Sequence, residues 1–255
     1  MVLSLPDNEC ASRTNKRIRQ KRRIIRLFVG YSLSRIPKAN LNFYNSVVTR
    51  NKRNRCNMQA RPDDQLTYND FLKSYDGMFA EWVDGKVIAT SPASLIHQNA
   101  LGFLKAILDI FVEKHGLGIV LGAPFQMKLA KSGREPDIFF VARSNTGRLH
   151  NMYLEGPADL AIEIVSPESG ARDRGEKFYE YETGGVREFW LIDPIRQQAE
   201  FYLLGEDKLF HHVSPDANGI YHSTAVAGFW FKVGWLWEQP LRPVVEVLRE
   251  LKLVA

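Results

Sequence analysis

Three acidic residues stand where a solvated charge is not expected. Glu163 interrupts DLAIEIV (residues 159–165), whose continuous apolar character implies burial on both sheet faces. Asp137 follows Pro136 and opens the apolar run IFFV, and Glu81 lies between Ala80 and Trp82. A lone carboxylate in a low dielectric is costly and takes up a proton unless a cation meets it, so Glu163 calls for a metal ion, a lysine or both. Carboxylate oxygens are the ligands that Mg²⁺ and Mn²⁺ prefer. Each residue also has a plain structural reading. These are a buried salt bridge for Glu163, Pro-Asp turn chemistry for Asp137 and a charge-tolerant hairpin edge for Glu81.

Lys177 is the candidate cation. In the helix expected there, Phe178 and Tyr181 face the core and Lys177 lies beside that stripe. Its four-carbon stem can carry an ammonium to Glu163, where it would hold an attacking water or a phosphate oxygen. The alternative is a surface lysine paired with Asp173 or Glu180, at i−4 and i+3. His97, Gln126 and Tyr181 are secondary candidates for substrate contact or support, against helix-end bonding for His97 and ordinary packing for the other two. His211 and His212 are adjacent on a strand and cannot chelate together. No G-x-S-x-G elbow, Walker loop or dinucleotide glycine loop is present, so serine hydrolases, NTPases and dehydrogenases have no support.

These residues must be positioned by a fold of mixed type. LTYNDFLKSY reads as a short helix capped by Thr67, and FAEWVDGKVIATSP as a hairpin about Asp84-Gly85. Ser91-Pro92 reads as the start of a long helix, with Leu101, Leu104, Ile107, Leu108 and Phe111 at helical spacing until Gly116. Strands are expected in GIVLG, PFQMKLA, EPDIFFVA, DLAIEIVS and EFWLIDP, with a loop and helix in SGARDRGEKFYEYETGG. AEFYLL, KLFHHV, IYHSTA and FWFKV read as a β-rich tail, and PVVEVLRELKL as a closing helix. This order predicts one α/β (mixed α+β) domain, a central mixed sheet flanked by helices, over residues 58–255.

The chain has 255 residues with a formal charge of +5, but the charge is unevenly distributed. Residues 1–60 hold 14 Lys and Arg against 2 Asp and Glu, leaving 20 against 27 for the rest, a net of −7. Residues 1–57 read as a basic, disordered leader: an arm for nucleic acid or acidic surfaces, a targeting segment, or sequence upstream of a start at Met58. Two cysteines cannot make a disulfide scaffold, which points to a reducing, cytoplasmic setting. No uninterrupted apolar run approaches the roughly 18–20 residues of a membrane span, so no membrane partner is expected.

Pro136-Asp137, then Glu163 in AIEIVSPES, then Lys177 in the following helix and EFWLIDP together resemble the Uma-type family of restriction-endonuclease-like proteins, within the PD-(D/E)XK nuclease superfamily. The resemblance covers roughly residues 64–250. It implies a restriction-endonuclease-like core and a metal-dependent endonuclease that hydrolyses DNA phosphodiesters with metal-activated water. It further implies Asp137, Glu163 and the backbone carbonyl of Ile164 as ligands of Mg²⁺ or Mn²⁺, with Lys177 positioning or activating the water and Glu81 as a more distant acidic member. The superfamily usually carries its lysine two positions after the glutamate, where this chain has Val165, so Lys177 stands as a migrated equivalent. A basic rim for DNA is expected from Arg134, Arg143, Arg172, Arg174 and Arg187, and a homodimer is a further expectation. The competing functions are a non-catalytic nucleic-acid-binding or scaffold module, and a phosphodiesterase acting on RNA or a small nucleotide.

Overall fold

The computed structural model describes residues 66–75, 78–89, 93–167 and 169–254. The basic leader and the Ser91-Pro92 start signal lie outside the described residues. Helix α1 (Tyr68–Ser74) begins at Thr67, whose hydroxyl accepts from the Asp70 N–H as a cap should. Strands β1 (Ala80–Val83) and β2 (Lys86–Ala89) then form the expected hairpin. Both turn residues take positive φ, 47° at Asp84 and 81° at Gly85, the geometry that matches hairpin twist.

The long helix is α2 (Leu95–His115), capped by Ser94 and stopped by Gly116 at φ 60°. By length and composition alone it could cross a membrane, although polar residues such as His97, Lys105 and Asp109 interrupt its apolar run. A helix that lies on a sheet passes the same test, and here Phe103, Leu104, Ile107, Leu108, Phe111 and Val112 are buried.

Strands β3 (Gly118–Leu121), β4 (Gln126–Lys128), β5 (Ser132–Arg134), β6 (Ile138–Ala142), β7 (Tyr153–Glu155) and β8 (Leu160–Ile164) follow in order. After β8 the chain runs through a short helix α3 (Gly170–Arg172), a π-helical turn (Asp173–Lys177) and helix α4 (Phe178–Gly184). Then come β9 (Glu188–Asp193), β10 (Gln198–Leu204), β11 (Phe210–Val213), β12 (Ile220–His222), β13 (Trp230–Lys232) and helix α5 (Val244–Glu250).

The strands make two mixed sheets and a ribbon, where the sequence predicted a single sheet with a tail. The six-stranded sheet has the order β11-β10-β9-β8-β6-β3 and the five-stranded sheet β2-β1-β5-β4-β7, with β12 and β13 pairing apart. The division falls inside EPDIFFVA, which reads in sequence as one strand. Pro136 has no N–H to give a ladder, and the chain passes from β5 in one sheet to β6 in the other across Glu135-Pro136-Asp137. One face of the six-stranded sheet packs on α2, α5 and the ribbon through residues such as Ile138, Ile162 and Trp190. The opposite face, with Phe139, Ala161 and Phe189, packs on β4, β7 and α4 through Met127, Leu154 and Tyr181. Strands β8 and β9 are parallel, so the chain needs a crossover, which the helical segment 170–184 supplies.

Candidate active site

The two sheets each contribute one half of an acidic cluster. In the six-stranded sheet, β6 and β8 pair antiparallel with Ile138 opposite Ile162, so one step further sets Asp137 opposite Glu163. Residues directly opposite share a face, and this is the face that α4 covers. In the five-stranded sheet, Trp82 pairs with Gly133, so the next step sets Glu81 opposite Arg134. Gly133 is required there: a Cβ at that position would lie 2.4 Å from the Tyr68 ring and 2.6 Å from the Gln126 amide oxygen.

Lys177 joins the two halves. Its Nζ lies 2.9 Å from Glu163 Oε2, 3.3 Å from Glu81 Oε1 and 3.6 Å from Asp173 Oδ1, and its side chain is 6% exposed. Burial opposes its charge, but Glu163, Glu81 and Asp173 outweigh burial and hold the ammonium above its ordinary range. Lys177 is therefore held as an ammonium. The surface-lysine reading fails, because Glu180 is engaged by Arg134 and Asp173 belongs to the buried cluster.

Glu163 is 3% exposed and accepts from the Tyr181 hydroxyl at 2.7 Å. Burial pushes its carboxyl up to about 8, with Lys177 opposing and the charges of Asp173 and Asp137 adding. Asp137 Oδ2 accepts from the Ile164 N–H at 2.8 Å and meets His97 Nε2 at 3.1 Å, which leaves Oδ1 available. A strand residue projects its N–H and C=O to one edge, so the Ile164 carbonyl lies on the Asp137 side. Pro136, two register steps beyond Ile138, has no N–H to offer it. His97 is buried on the first turn of α2. Burial would lower its pKa, but the Asp137 carboxylate prevails and raises it.

Sequence reasoning missed the hub of the cluster. Arg134, assigned to a DNA-facing rim, is 0% exposed and cannot serve there. It donates to both oxygens of Glu180, at 2.8 and 2.6 Å, and to Glu81 at 3.0 Å. Glu81 also accepts from the Glu135 N–H, and the two cations hold its carboxyl below the usual range although burial acts the other way. Glu135 and Asp173 went unassigned. Burial pushes Glu135 up to about 7, with the Gln126 amide opposing. Burial likewise raises Asp173. The signal available for Asp173 was its i, i+4 spacing to Lys177.

Gln126 sits apart from Asp137 and Glu163. Its amide is used within the protein, on Tyr68, the Ala80 carbonyl and Glu135, so it reaches the cluster only through Glu135. Of the other rim arginines, Arg174 is half-buried against Glu200 and Asp193, while Arg143 and Arg187 are exposed. Arg174 and Arg196 line a hollow of about 380 Å³ with Val165 and Ser166, past the carboxyl end of β8.

Among the described residues, no three His, Cys, Asp or Glu side chains converge as a ready-made metal centre. The cluster nonetheless holds more acidic than basic groups. Glu81, Glu135, Asp137, Glu163, Asp173 and Glu180 face two obligate cations, Arg134 and Lys177, and the basic His97. An acid pair at a sheet edge with a lysine from the crossover helix is an arrangement able to hold a cation and orient a water beside it.

The fold defines the class. A solved structure described as a putative nuclease belonging to DUF820, from Anabaena variabilis ATCC 29413, matches with a TM-score of 0.53 at 18% identity, over 62% of this chain and 89% of that one. The expected mixed α/β architecture with helices flanking a nuclease-like core is thus the observed one. A family model, Uma2: Putative restriction endonuclease, matches residues 68–234, and the chain belongs to this family. No curated protein matches it.

Proposed function

We propose that the protein is an endonuclease that hydrolyses DNA phosphodiester bonds with Mg²⁺ or Mn²⁺ as cofactor. The observation that carries this reading is Lys177, a buried ammonium 2.9 Å from Glu163, which the register of β6 on β8 sets opposite Asp137. A scaffold gains nothing from burying this much charge.

The donor set fits a hard divalent cation. Mg²⁺ is commonly held by one or two carboxylates and keeps several waters, so three protein side chains are not required. Asp137 through Oδ1, Glu163 and the Ile164 carbonyl are the groups that would hold it. Bound there, the cation would polarise a phosphate oxygen and lower the pKa of water. His97 fixes the Asp137 carboxylate from behind, as outer partners of ligands do. Tyr181 and Lys177 hold the two oxygens of Glu163 in place. Lys177, protonated throughout, orients the attacking water by hydrogen bonding and offsets the negative charge that grows on the phosphoryl oxygens. The hollow with Arg174 and Arg196 adjoins the Glu163 end of β8, where a neighbouring phosphate would lie.

The test is cleavage of supercoiled and linear DNA at low salt with Mg²⁺, Mn²⁺ or EDTA. Asp137→Ala and Lys177→Ala proteins run beside the parent. Metal-dependent nicking that falls by at least about 100-fold in both is expected. Cleavage that persists in EDTA, or full activity in a folded Asp137→Ala protein, overturns the reading.

A further inference from the structure

The buried carboxylates of this fold are saturated with donors, with one exception. Glu188 accepts from the Trp190 indole, the Tyr221 and Ser223 hydroxyls and the Thr224 and Ala225 amides. Asp159 takes the Ala142 amide and the Asn145 side chain. Glu81 takes Arg134 and the Glu135 amide. Asp173 differs: the residue is 1% exposed, yet its Oδ1 has no hydrogen bond. Among the described residues it is the one buried carboxylate oxygen so left. The Lys177 ammonium lies 3.6 Å away, too far for a good hydrogen bond.

The local helix aims this oxygen inward. Residues 173–177 form a π-helical turn between α3 and α4, and its first and last residues, Asp173 and Lys177, are both buried. Such turns widen the helix and concentrate at functional sites. The charge of Asp173 acts on Glu163, Lys177 and His97, so it stands among the residues of the candidate site. A buried acceptor left without a hydrogen bond in a native fold calls for an explanation, and a water or ion from outside the chain is one.

We propose that Asp173 is a further residue of the active site, holding through Oδ1 a water molecule in the hydration shell of the divalent cation. The proposal rests on the endonuclease reading and adds to it an outer ligand that the Asp137, Glu163 and Lys177 set lacks. Mg²⁺ and Mn²⁺ keep bound waters, and a buried acceptor beside Lys177 with no hydrogen bond of its own is suited to hold one. The competing role is structural, an i, i+4 partner that only neutralises Lys177.

Asp173→Asn separates the two roles, because it keeps the shape and removes the charge. The full-length protein is followed by thermal melting across a Mn²⁺ titration, which needs no turnover, and by DNA cleavage. Without metal, the variant is expected to melt no lower than the parent, since Glu163 and Glu81 still meet the Lys177 ammonium. Its apparent Mn²⁺ affinity and its cleavage rate are each expected to fall by about 10–100-fold. A variant that matches the parent in Mn²⁺ titration and cleavage overturns the proposal. So does one that melts well below the parent with unchanged Mn²⁺ affinity, which would make Asp173 structural. Should Asp173→Asn not fold, Asp173→Ser is measured against the same outcomes. A parent that neither binds Mn²⁺ nor cleaves DNA removes the endonuclease reading and this inference with it, a result distinct from a variant that equals a working parent.

Discussion

Arg134 shows why a charge that looks solvated in sequence can be the residue a site is built on. Its guanidinium offers five donors in a planar fork, which is what two carboxylates on different elements need. It grips Glu180 of α4 with two bonds and Glu81 of β1 with one, while itself fully buried. Removing one partner of a buried pair leaves the other uncompensated, and Glu81 would then depend on Lys177 alone. Arg134→Met is expected to cost about 3–5 kcal/mol in urea unfolding. Arg134→Lys should recover only part of this, because an ammonium cannot make the forked contact. A Met variant within about 1 kcal/mol of the parent would falsify the hub role. Nothing local marks Arg134 in the sequence, where it sits among Ser132, Gly133 and Glu135. Its partners lie 53 and 46 residues away, so only the register of β1 on β5 and the docking of α4 reveal its burial. Glu163 was legible for the opposite reason: the apolar residues on either side of it announce the burial that makes its charge conspicuous.

At the scale of elements, legibility follows locality. The Asp84-Gly85 turn, the Thr67 cap and the Gly116 stop are decided within four residues and read correctly from sequence. Where two local signals compete, the reading slips. Ser94 caps α2, three residues after the Ser91-Pro92 signal in the sequence, and its side chain has the same capping chemistry. The split into two sheets was not legible, since β5 and β6 are separated by three residues and only non-local pairing assigns them to different ladders. Strand β7 was missed for the same reason, a three-residue element defined by its parallel partner β4. The β12–β13 ribbon depends on a comparable long-range tie. Glu188 at the start of β9 accepts the Tyr221 and Ser223 hydroxyls and the Thr224 and Ala225 amides, which fastens the ribbon to the sheet. An amide at this position would set an NH₂ against one or more of those donors. Glu188→Gln should therefore destabilise the fold by roughly 2–4 kcal/mol. The Thr224 and Ala225 amides should exchange faster than those of β8. Unchanged stability and exchange would show that the ribbon is held by its aromatic packing alone.

For the whole molecule the governing fact is charge. Residues 61–255 carry a net of −7, the wrong sign for a surface that meets a polyanion, and the buried cluster concentrates part of that excess beside the hollow lined by Arg174 and Arg196. A nuclease of this composition would depend on its cation for DNA binding as well as for the chemistry. Without the cation, Asp137, joined by Glu163 once that carboxyl ionises, repels an approaching phosphate; with it, the same two groups help to hold one. Above about pH 8, where the raised Glu163 carboxyl is ionised, changing both to their amides, Asp137→Asn with Glu163→Gln, removes two negative charges while Tyr181 and His97 still have oxygens to meet. Two fewer charges near a phosphate are worth on the order of 1–2 kcal/mol under the screening of a half-buried site, about tenfold in affinity. Above that pH the doubly changed protein is therefore expected to bind DNA in EDTA about tenfold more tightly than the parent does, and to cleave none of it in Mg²⁺. The difference should shrink as salt rises and the screening length falls below about 10 Å. Fluorescence anisotropy of a labelled duplex across a salt series measures both. Equal affinity of the two proteins in EDTA at low salt would mean that DNA does not approach this cluster, and would move the search for its binding face to another side of the sheet.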